Sequence, residues 1–235
     1  MCGIAGLINI DNSSIDTIKQ SLYHRGPDAQ TQYQHNNLHL IHTRLSIQDI
    51  KNGDQPFIIG QYVIVFNGEI YNHLALRKRL KKHVFKTLSD TETLLALYIE
   101  YGLSALEMCD GMFAFVIYDR KNNKLMLARD RIGKKPLYLY KNARKIFIAS
   151  ELNALLHSIP NLSIDEDSVA TYLRVGFFNQ NTTPYNDVEE VMPGYVYELN
   201  VSSLSINKYR YFNIVDSYRS PINISHEEAL LQLDS

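Results

Sequence analysis

Apolar residues along the chain fall into short runs of strand length, punctuated by turn residues and by a few stretches with helical signals. Residues 3–9 (GIAGLIN) form a compact apolar run that fits a buried strand, and residues 38–48 (LHLIHTRLSIQ) and 61–66 (QYVIVF) predict further strands. Residues 113–119 (FAFVIYD) and 124–129 (KLMLAR) flank Arg120-Lys121-Asn122-Asn123, which predicts a hairpin turn. Residues 136–140 and 145–150 predict a second hairpin. Residues 195–199 and 205–211, joined by a Ser-rich turn, predict a third. Helical signals lie between these strands. Ser89-Asp90-Thr91-Glu92 has capping-box spacing, an apolar stretch follows to Tyr101, and Gly102 stands where a terminating glycine belongs. Residues 14–23, 72–80, 150–157 and 165–175 predict four more helices. Strands that neighbour in sequence and join by tight turns imply antiparallel sheets with helices on their outer faces. The class is therefore α+β and not doubly wound.

The C-terminal segment carries a second capping box, Ser225-His226-Glu227-Glu228, continued by Ala229 to Leu233. A helix of that length is marginal in isolation. It reads as the opening element of a further domain, with a docked or frayed terminal helix as the alternative. Composition narrows the class of function. Of the 235 residues, 45% are hydrophobic and 21% charged, which is ordinary for a globular protein. Lys plus Arg total 24 against 25 for Asp plus Glu, so a nucleic-acid binder working through bulk charge is disfavoured. No apolar run approaches the ~18–20 residues of a membrane span, and the first residues do not read as a signal peptide. Cys2 and Cys109 cannot form a disulfide framework, and neither they nor the histidines show metal-ligand spacing. A cytoplasmic protein with no nucleic-acid or membrane partner and no metal is expected.

Cys2 follows the initiator Met. Removal of Met1 would place a thiol and an α-amine on one residue, and the amine, with a pKa of about 7.7–8.0, can act as general base for the thiol. Asn67-Gly68 follows the strand QYVIVF. A strand leading into Asn-Gly commonly marks a hairpin turn, whereas the Asn side chain and the Gly N–H together can also receive a developing oxyanion. Arg44 sits in an otherwise apolar strand-like run with Ile41, Leu45 and Ile47 pointing one way. It is either a structural ion pair or a bidentate clamp for a carboxylate. Asp90 is either a capping acid or a partner for an ammonium group. His24 to Asp28 and Ala128 to Leu137 read as loops stabilised by salt bridges, and Cys109 reads as core packing.

Nine stretches, MCGIAG, HRGPD, HTRLSI, FNGEIYN, SDTETLLALY, GMFAFVIYD, ARDRIGKKPLY, ASEL and MPG, occur in this order between residue 1 and about 194. Together they resemble the glutamine-hydrolysing domain of class II glutamine amidotransferases, in the asparagine synthetase branch. The resemblance implies a four-layer αββα N-terminal-nucleophile hydrolase sandwich with two antiparallel sheets. It implies Cys2 as nucleophile with its own α-amine as base, and Asn67 and Gly68 as oxyanion hole. It implies Arg44 as the receiver of the glutamine α-carboxylate, Asp90 and Glu69 as holders of the α-amino group, and the backbone near Leu45 and Ile47 as pocket lining. The implied reaction runs through a γ-glutamyl thioester and releases glutamate and ammonia, with no cofactor in this chain. In the complete family the ammonia reaches a second domain, where ATP, with Mg, activates aspartate.

Two departures qualify the resemblance. The synthetase loop of the type S-G-G-L-D-S does not occur in these residues. The expected organisation is therefore a glutaminase domain at 1–208 and, at 209–235, a linker and the first helix of a synthetase domain absent from the chain. The chain is then a fragment, a stand-alone subunit with L-glutamine and a separate synthetase as partners, or a truncated product. The alternatives in function are a non-catalytic glutamine-binding module and an ammonia donor to another acceptor such as a sugar. The second departure is Tyr209-Arg210-Tyr211-Phe212, where relatives often carry a Trp and this chain has none, read as surface or linker drift.

Overall fold

The computed structural model describes residues 1–10, 14–179, 181–219 and 221–233. Its strands are β1 (Gly3–Ile8), β2 (Ala29–His35), β3 (Leu38–Arg44), β4 (Phe57–Ile59), β5 (Tyr62–Ile70), β6 (Gly111–Asp119), β7 (Lys124–Arg129), β8 (Tyr138–Lys141), β9 (Ile146–Ala149), β10 (Val188–Glu190), β11 (Tyr195–Asn200) and β12 (Ile206–Arg210). Its helices are α1 (Ile15–Ser21), α2 (His73–Arg77), α3 (Asp90–Tyr101), α4 (Ala105–Met108), α5 (Leu152–Leu156), α6 (Glu166–Val175), α7 (Ile214–Arg219) and α8 (His226–Leu233). Among the described residues the strands form two six-stranded antiparallel sheets, ordered β10-β8-β9-β1-β3-β2 and β12-β11-β7-β6-β5-β4.

Three apolar layers hold the sheets and helices together. Ile4, Ile8, Leu38 and Leu40 of the first sheet meet Val63, Val65, Val116 and Leu127 of the second in the central layer. The outer face of the second sheet (Ile64, Phe66, Phe115, Ile117) packs on Leu76 of α2, Leu94 and Leu97 of α3 and Leu106 of α4. The outer face of the first (Ala5, Leu7, Ile41, Phe147) packs on Ile15 and Ile18 of α1 and Leu155 of α5. This is the expected αββα sandwich. Strands covered on both faces need apolar residues at every position, which is why β1 is a continuous run and not an alternation.

Several local expectations give way to tertiary context. The run 38–48 leaves the sheet after Arg44, so Ile47 does not share a strand face with Ile41 and is 67% exposed. Asn67-Gly68 is no turn: β5 continues through it to Ile70, paired with β6 over its whole length. A Cβ on Gly68 would lie 2.3 Å from the Met112 carbonyl oxygen and 2.7 Å from Phe113 Cα, so the close approach of β6 requires glycine. The 72–80 helix contracts to the short α2, after which the Arg79 and Leu80 N–H groups bond three residues back to Leu76 and Arg77 as turns; the Asn72 side chain bonds the Met108 carbonyl and the Asp110 N–H and does not cap the helix. Ser89 caps α3 as expected, but Glu92 turns away from the cap to accept N–H bonds from Lys86 and Thr87. The box at Ser225 is complete in both directions. β2, β4 and β10 are not anticipated. β2 (AQTQYQH) is a polar edge strand and the other two have three residues each.

α7 and α8 bury none of their side chains. Tyr211 is not surface drift. It packs against the outer layer of the second sheet, and its hydroxyl donates to the Arg129 carbonyl at 2.6 Å. Residues 220, 234 and 235 of the C-terminal segment lie outside the described residues.

Candidate active site

Three strands change character at one end of the central layer. Side chains two apart in a strand share a face. On that face β5 carries Val63 and Val65, then Asn67 and Glu69, and β3 carries Leu38 and Leu40, then His42 and Arg44. β1 carries Ile8 and Ile4, with Cys2 one step further, and its register of Gly3 opposite Thr43 sets Cys2 beside Arg44. The apolar filling stops and a cavity of about 80 Å³ opens. That is several times the ~10–15 Å³ needed to hold one water. Its walls include all eight residues singled out in the sequence: Cys2, Arg44, Leu45, Ile47, Asn67, Gly68, Glu69 and Asp90.

Cys2 is fixed from both sides. The Leu45 N–H donates to its Sγ at 3.4 Å, and Sγ lies 3.7 Å from the Leu45 carbonyl oxygen, to which the thiol donates. Arg25 Nε donates to the Cys2 carbonyl at 3.1 Å while Arg25 Nη1 pairs with Glu151 at 2.7 Å. The turn at Gly26 presses onto β3, where a Cβ would lie 2.3 Å from the Thr43 oxygen. Burial pushes the Cys2 thiol above its ordinary range, opposed by the Leu45 N–H, the N-terminal ammonium, Arg44 and Lys135. With Met1 present the nitrogen of Cys2 is an amide. Burial lowers the Met1 ammonium, and Arg25 and Lys135 push the same way.

The two donors expected at an oxyanion hole are arranged by β5. The Asn67 side chain is 1% exposed, and its Nδ2 has no hydrogen-bond acceptor. A buried amide without a partner costs free energy, on the order of 1–3 kcal/mol, unless something else occupies that position during function. Backbone N–H groups along a strand alternate between its two edges. β4 pairs with β5 only at residues 62–64, so beyond them one edge of β5 is free of a strand. On that edge the Phe66 N–H donates to Gln55 Oε1 at 2.6 Å and the Ile70 N–H to Asp90 Oδ2 at 2.9 Å. The Gly68 N–H lies between them and points the same way.

The charged walls are pre-organised by the 45–54 loop. Arg44 Nη1 donates to the Ile50 carbonyl at 3.1 Å and to Asp54 at 2.8 Å, and Nη2 to the Asp49 and Gln48 carbonyls at 2.8 and 3.3 Å. The Asp54 side chain in that pair is 66% exposed. The Gln48 side chain donates to Glu69 and accepts the Asp90 N–H, so it bridges the two acids. Asp90 is not the cap of α3. It is 4% exposed and reaches across to β5. Burial, with the charge of Glu69 added, pushes its carboxyl up to about 6 against the lowering pull of the Ile70 N–H.

Sequence reasoning missed four contributors. Arg25 and Lys135 were read as parts of salt-bridged loops, and Gln48 and Gln55 were not singled out. Gln55 ties the Phe66 N–H to Thr91 of α3 and so locks β5 to the helix. Only the period-two change from apolar to polar at matching strand ends hints at the site, and it reveals none of these four. Cys109 is core packing as expected, buried and pushed up to about 12 by desolvation. Among the described residues no cluster of three or more His, Cys, Asp or Glu is placed to hold a metal ion, and no helix is long and apolar enough to cross a membrane.

Comparison with known proteins bears on the family of the chain as a whole. Residues 1–211 match the family model described as "Glutamine amidotransferase domain". The chain is 42% identical over 164 residues to asparagine synthetase [glutamine-hydrolyzing] 1 of Arabidopsis thaliana, covering 66% of this chain and 28% of that protein. It is 36% identical over 206 residues to asparagine synthetase [glutamine-hydrolyzing] 1 of Bacillus subtilis, covering 83% and 33%. The chain thus spans about a third of the length of these relatives. Among solved structures it resembles glutamine phosphoribosylpyrophosphate amidotransferase from B. subtilis, with a TM-score of 0.62 at 21% identity, covering 89% of this chain and 49% of that one. That likeness concerns the fold.

Proposed function

We propose, from the premise that this chain belongs to the family of glutamine amidotransferase domains, that it hydrolyses L-glutamine to glutamate and ammonia through Cys2. The observation carrying this reading is the buried, unpartnered Asn67 Nδ2 in the same cavity as the Cys2 thiol. After removal of Met1 the free α-amine takes the thiol proton. Sγ attacks the side-chain amide carbon of glutamine, and the carbonyl oxygen becomes an oxyanion held by Asn67 Nδ2 and the Gly68 N–H. The C–N bond then breaks, and ammonia leaves with a proton from the α-ammonium. Water cleaves the γ-glutamyl thioester, giving glutamate and restoring the thiol. Glu69 and Asp90 receive the substrate ammonium. Arg44 receives the α-carboxylate, which takes the place of Asp54, the exposed member of that pair. Leu45 fixes the sulfur, and Ile47 flanks the mouth. The step needs no cofactor.

The relatives named above are asparagine synthetases, and we assign the ammonia to aspartate, activated by ATP with Mg in a synthetase domain or subunit. In this reading residues 1–208 are the glutaminase domain and 209–235 the lead into the synthetase. Both cysteines are free thiols, which suits a reducing cytoplasm. The test is the intact mass of the protein after incubation with diazo-oxo-norleucine, a reactive glutamine analogue. Loss of Met1 together with one adduct located on Cys2 is expected. A processed chain that takes no adduct would refute the reading.

A further inference from the structure

The loop between β7 and β8 is held by side chains that serve its backbone. The Asp130 carboxylate accepts N–H bonds from Phe113 and Lys135 at 3.1 Å each, from Ile132 at 3.2 Å and from Lys134 at 2.9 Å. Arg129 donates to the carbonyls of Lys135 at 2.7 Å, Gly133 at 2.8 Å and Val191 at 2.6 Å, and it pairs with Glu190 at 3.0 Å. Asp130 and Arg129 are both buried. A loop so rigidly tied delivers one side chain to the cavity of Cys2: Lys135, itself only 6% exposed.

A buried lysine ordinarily sits against a carboxylate. Lys135 makes no ion pair within 4.0 Å among the described residues, unlike Arg25 with Glu151 and Arg44 with Asp54. The charged and titratable groups that face it are Arg25, Asp130, Glu69, the Cys2 sulfur and the N-terminal ammonium. It is thus a cation placed in a nucleophile's cavity by a dedicated scaffold and not neutralised by a partner of its own.

We infer that Lys135 is a positioning residue that acts through the N-terminal nucleophile, holding a fixed positive charge that favours the anionic sulfur and the neutral amine. The inference rests on the proposed glutaminase reading and deepens it. When the thiol proton passes to the amine, the sulfur gains an electron pair that this charge stabilises. The ammonium formed is repelled, so it is a stronger acid when the departing nitrogen takes its proton. The tendencies in the unprocessed chain point the same way: Lys135 pulls the Cys2 thiol down and pushes the ammonium of Met1, which precedes Cys2, towards its neutral form. Arg44 also acts on the thiol, but its guanidinium is engaged by the 45–54 loop.

The test follows the rate of Cys2 carbamidomethylation by iodoacetamide against pH, read by peptide mass, which needs no glutamine. Lys135→Met is expected to slow the reaction near neutral pH by roughly threefold to tenfold, the effect of losing one partly buried charge, and to move the profile to higher pH. Lys135→Arg is expected to restore most of the rate. A folded Lys135→Met protein whose profile superimposes on the wild type overturns the inference. Should the neutral variant fail to fold, the wild type provides a second readout, because coupling is reciprocal. Capping Cys2 with the neutral carbamidomethyl group is expected to lower the titration midpoint of Lys135, followed by its side-chain carbon resonances, and no change overturns the inference. Glutamine hydrolysis measured in parallel separates the two readings. A moved thiol profile without any hydrolysis refutes the glutaminase reading alone, and unaltered profiles with normal hydrolysis refute the role of Lys135 alone.

Discussion

Replacing Asn67 by Ala separates catalysis from stability more cleanly than any other substitution in the cavity. Its side-chain amide donor has no acceptor in the resting protein, so deleting it breaks no hydrogen bond made by Nδ2 and removes a buried unsatisfied donor. The space left adjoins an existing cavity and is not sealed in the core, so the packing loss is small and a stability change of no more than about 1 kcal/mol is expected. The backbone of β5 stays pinned by its pairing with β6 and by Gln55 and Asp90 on the other edge. The loss falls on the transition state. One oxyanion donor is worth about 2.7–4 kcal/mol, or roughly a hundredfold to a thousandfold in kcat, with KM for glutamine changing little. Steady-state glutamate release gives kcat and KM, and urea unfolding gives the stability. Iodoacetamide alkylation of Cys2 is the control, since displacement at its methylene carbon forms no oxyanion and its rate is expected to stay at the wild-type value. A stable variant with near wild-type kcat would refute the oxyanion assignment, and a parallel fall in alkylation would show that Asn67 shapes the thiol and not the transition state.

Cys2→Ala is expected to abolish glutamate release with unfolding within about 1 kcal/mol of the wild type, and residual turnover after proof of purity would remove the nucleophile assignment. Gly68→Ala should behave oppositely to Asn67→Ala. Its Cβ meets backbone atoms of β6 at 2.3 and 2.7 Å, so a loss of about 1–3 kcal/mol in urea unfolding is expected together with the loss of activity. Asp90 titrates near 6 in the folded protein, above the ~3.9 of an unfolded Asp, so the folded state holds that proton more tightly. Its contribution to stability is present below the unfolded value and is lost as pH rises through about 6. Asp90→Asn should therefore flatten the pH dependence of unfolding between those values. Because an ammonium needs the ionised carboxylate, KM for glutamine should rise as pH falls below about 6 in the wild type, and a KM constant from pH 5 to pH 7 would count against Asp90 as its receiver.

How much of this was legible in the sequence depended on whether the determining contacts are local. β1, β6 and β7 are apolar on both faces, and the turn at 120–123 is a local feature, so these elements were read correctly. β2 was invisible because an edge strand with one wet face can be built from Gln, Thr and His. Asn67-Gly68 has the local chemistry of a turn, yet the nine-residue ladder between β5 and β6 outweighs that preference. Motif resemblance picked out residues from separate segments that line a single cavity, something no local rule supplies. It did not disclose the members whose meaning depends on distant partners. Arg25 is defined by Cys2 and by Glu151, 126 residues away, and Lys135 by a cavity built from three other strands.

Of the two alternatives that the sequence context of Arg44 left open, the structure shows the ion pair, and the carboxylate clamp belongs to the proposed function. Arg44 forms an ion pair with Asp54, but three of its four terminal hydrogen bonds go to carbonyls of residues 48–50, so its main effect is to set the path of the loop. That loop begins with Leu45, whose N–H meets the Cys2 sulfur, and passes through Gln48, which spans Glu69 and Asp90. The end of the cavity that would hold the α-carboxylate is therefore wired through one backbone segment to the thiol and to the acids. In the proposed reading a carboxylate that replaced Asp54 would leave the three carbonyl bonds in place, and with them the loop that carries Leu45 and Gln48. If the proposed function holds, recognition of a free amino acid and orientation of the nucleophile would draw on the same few hydrogen bonds.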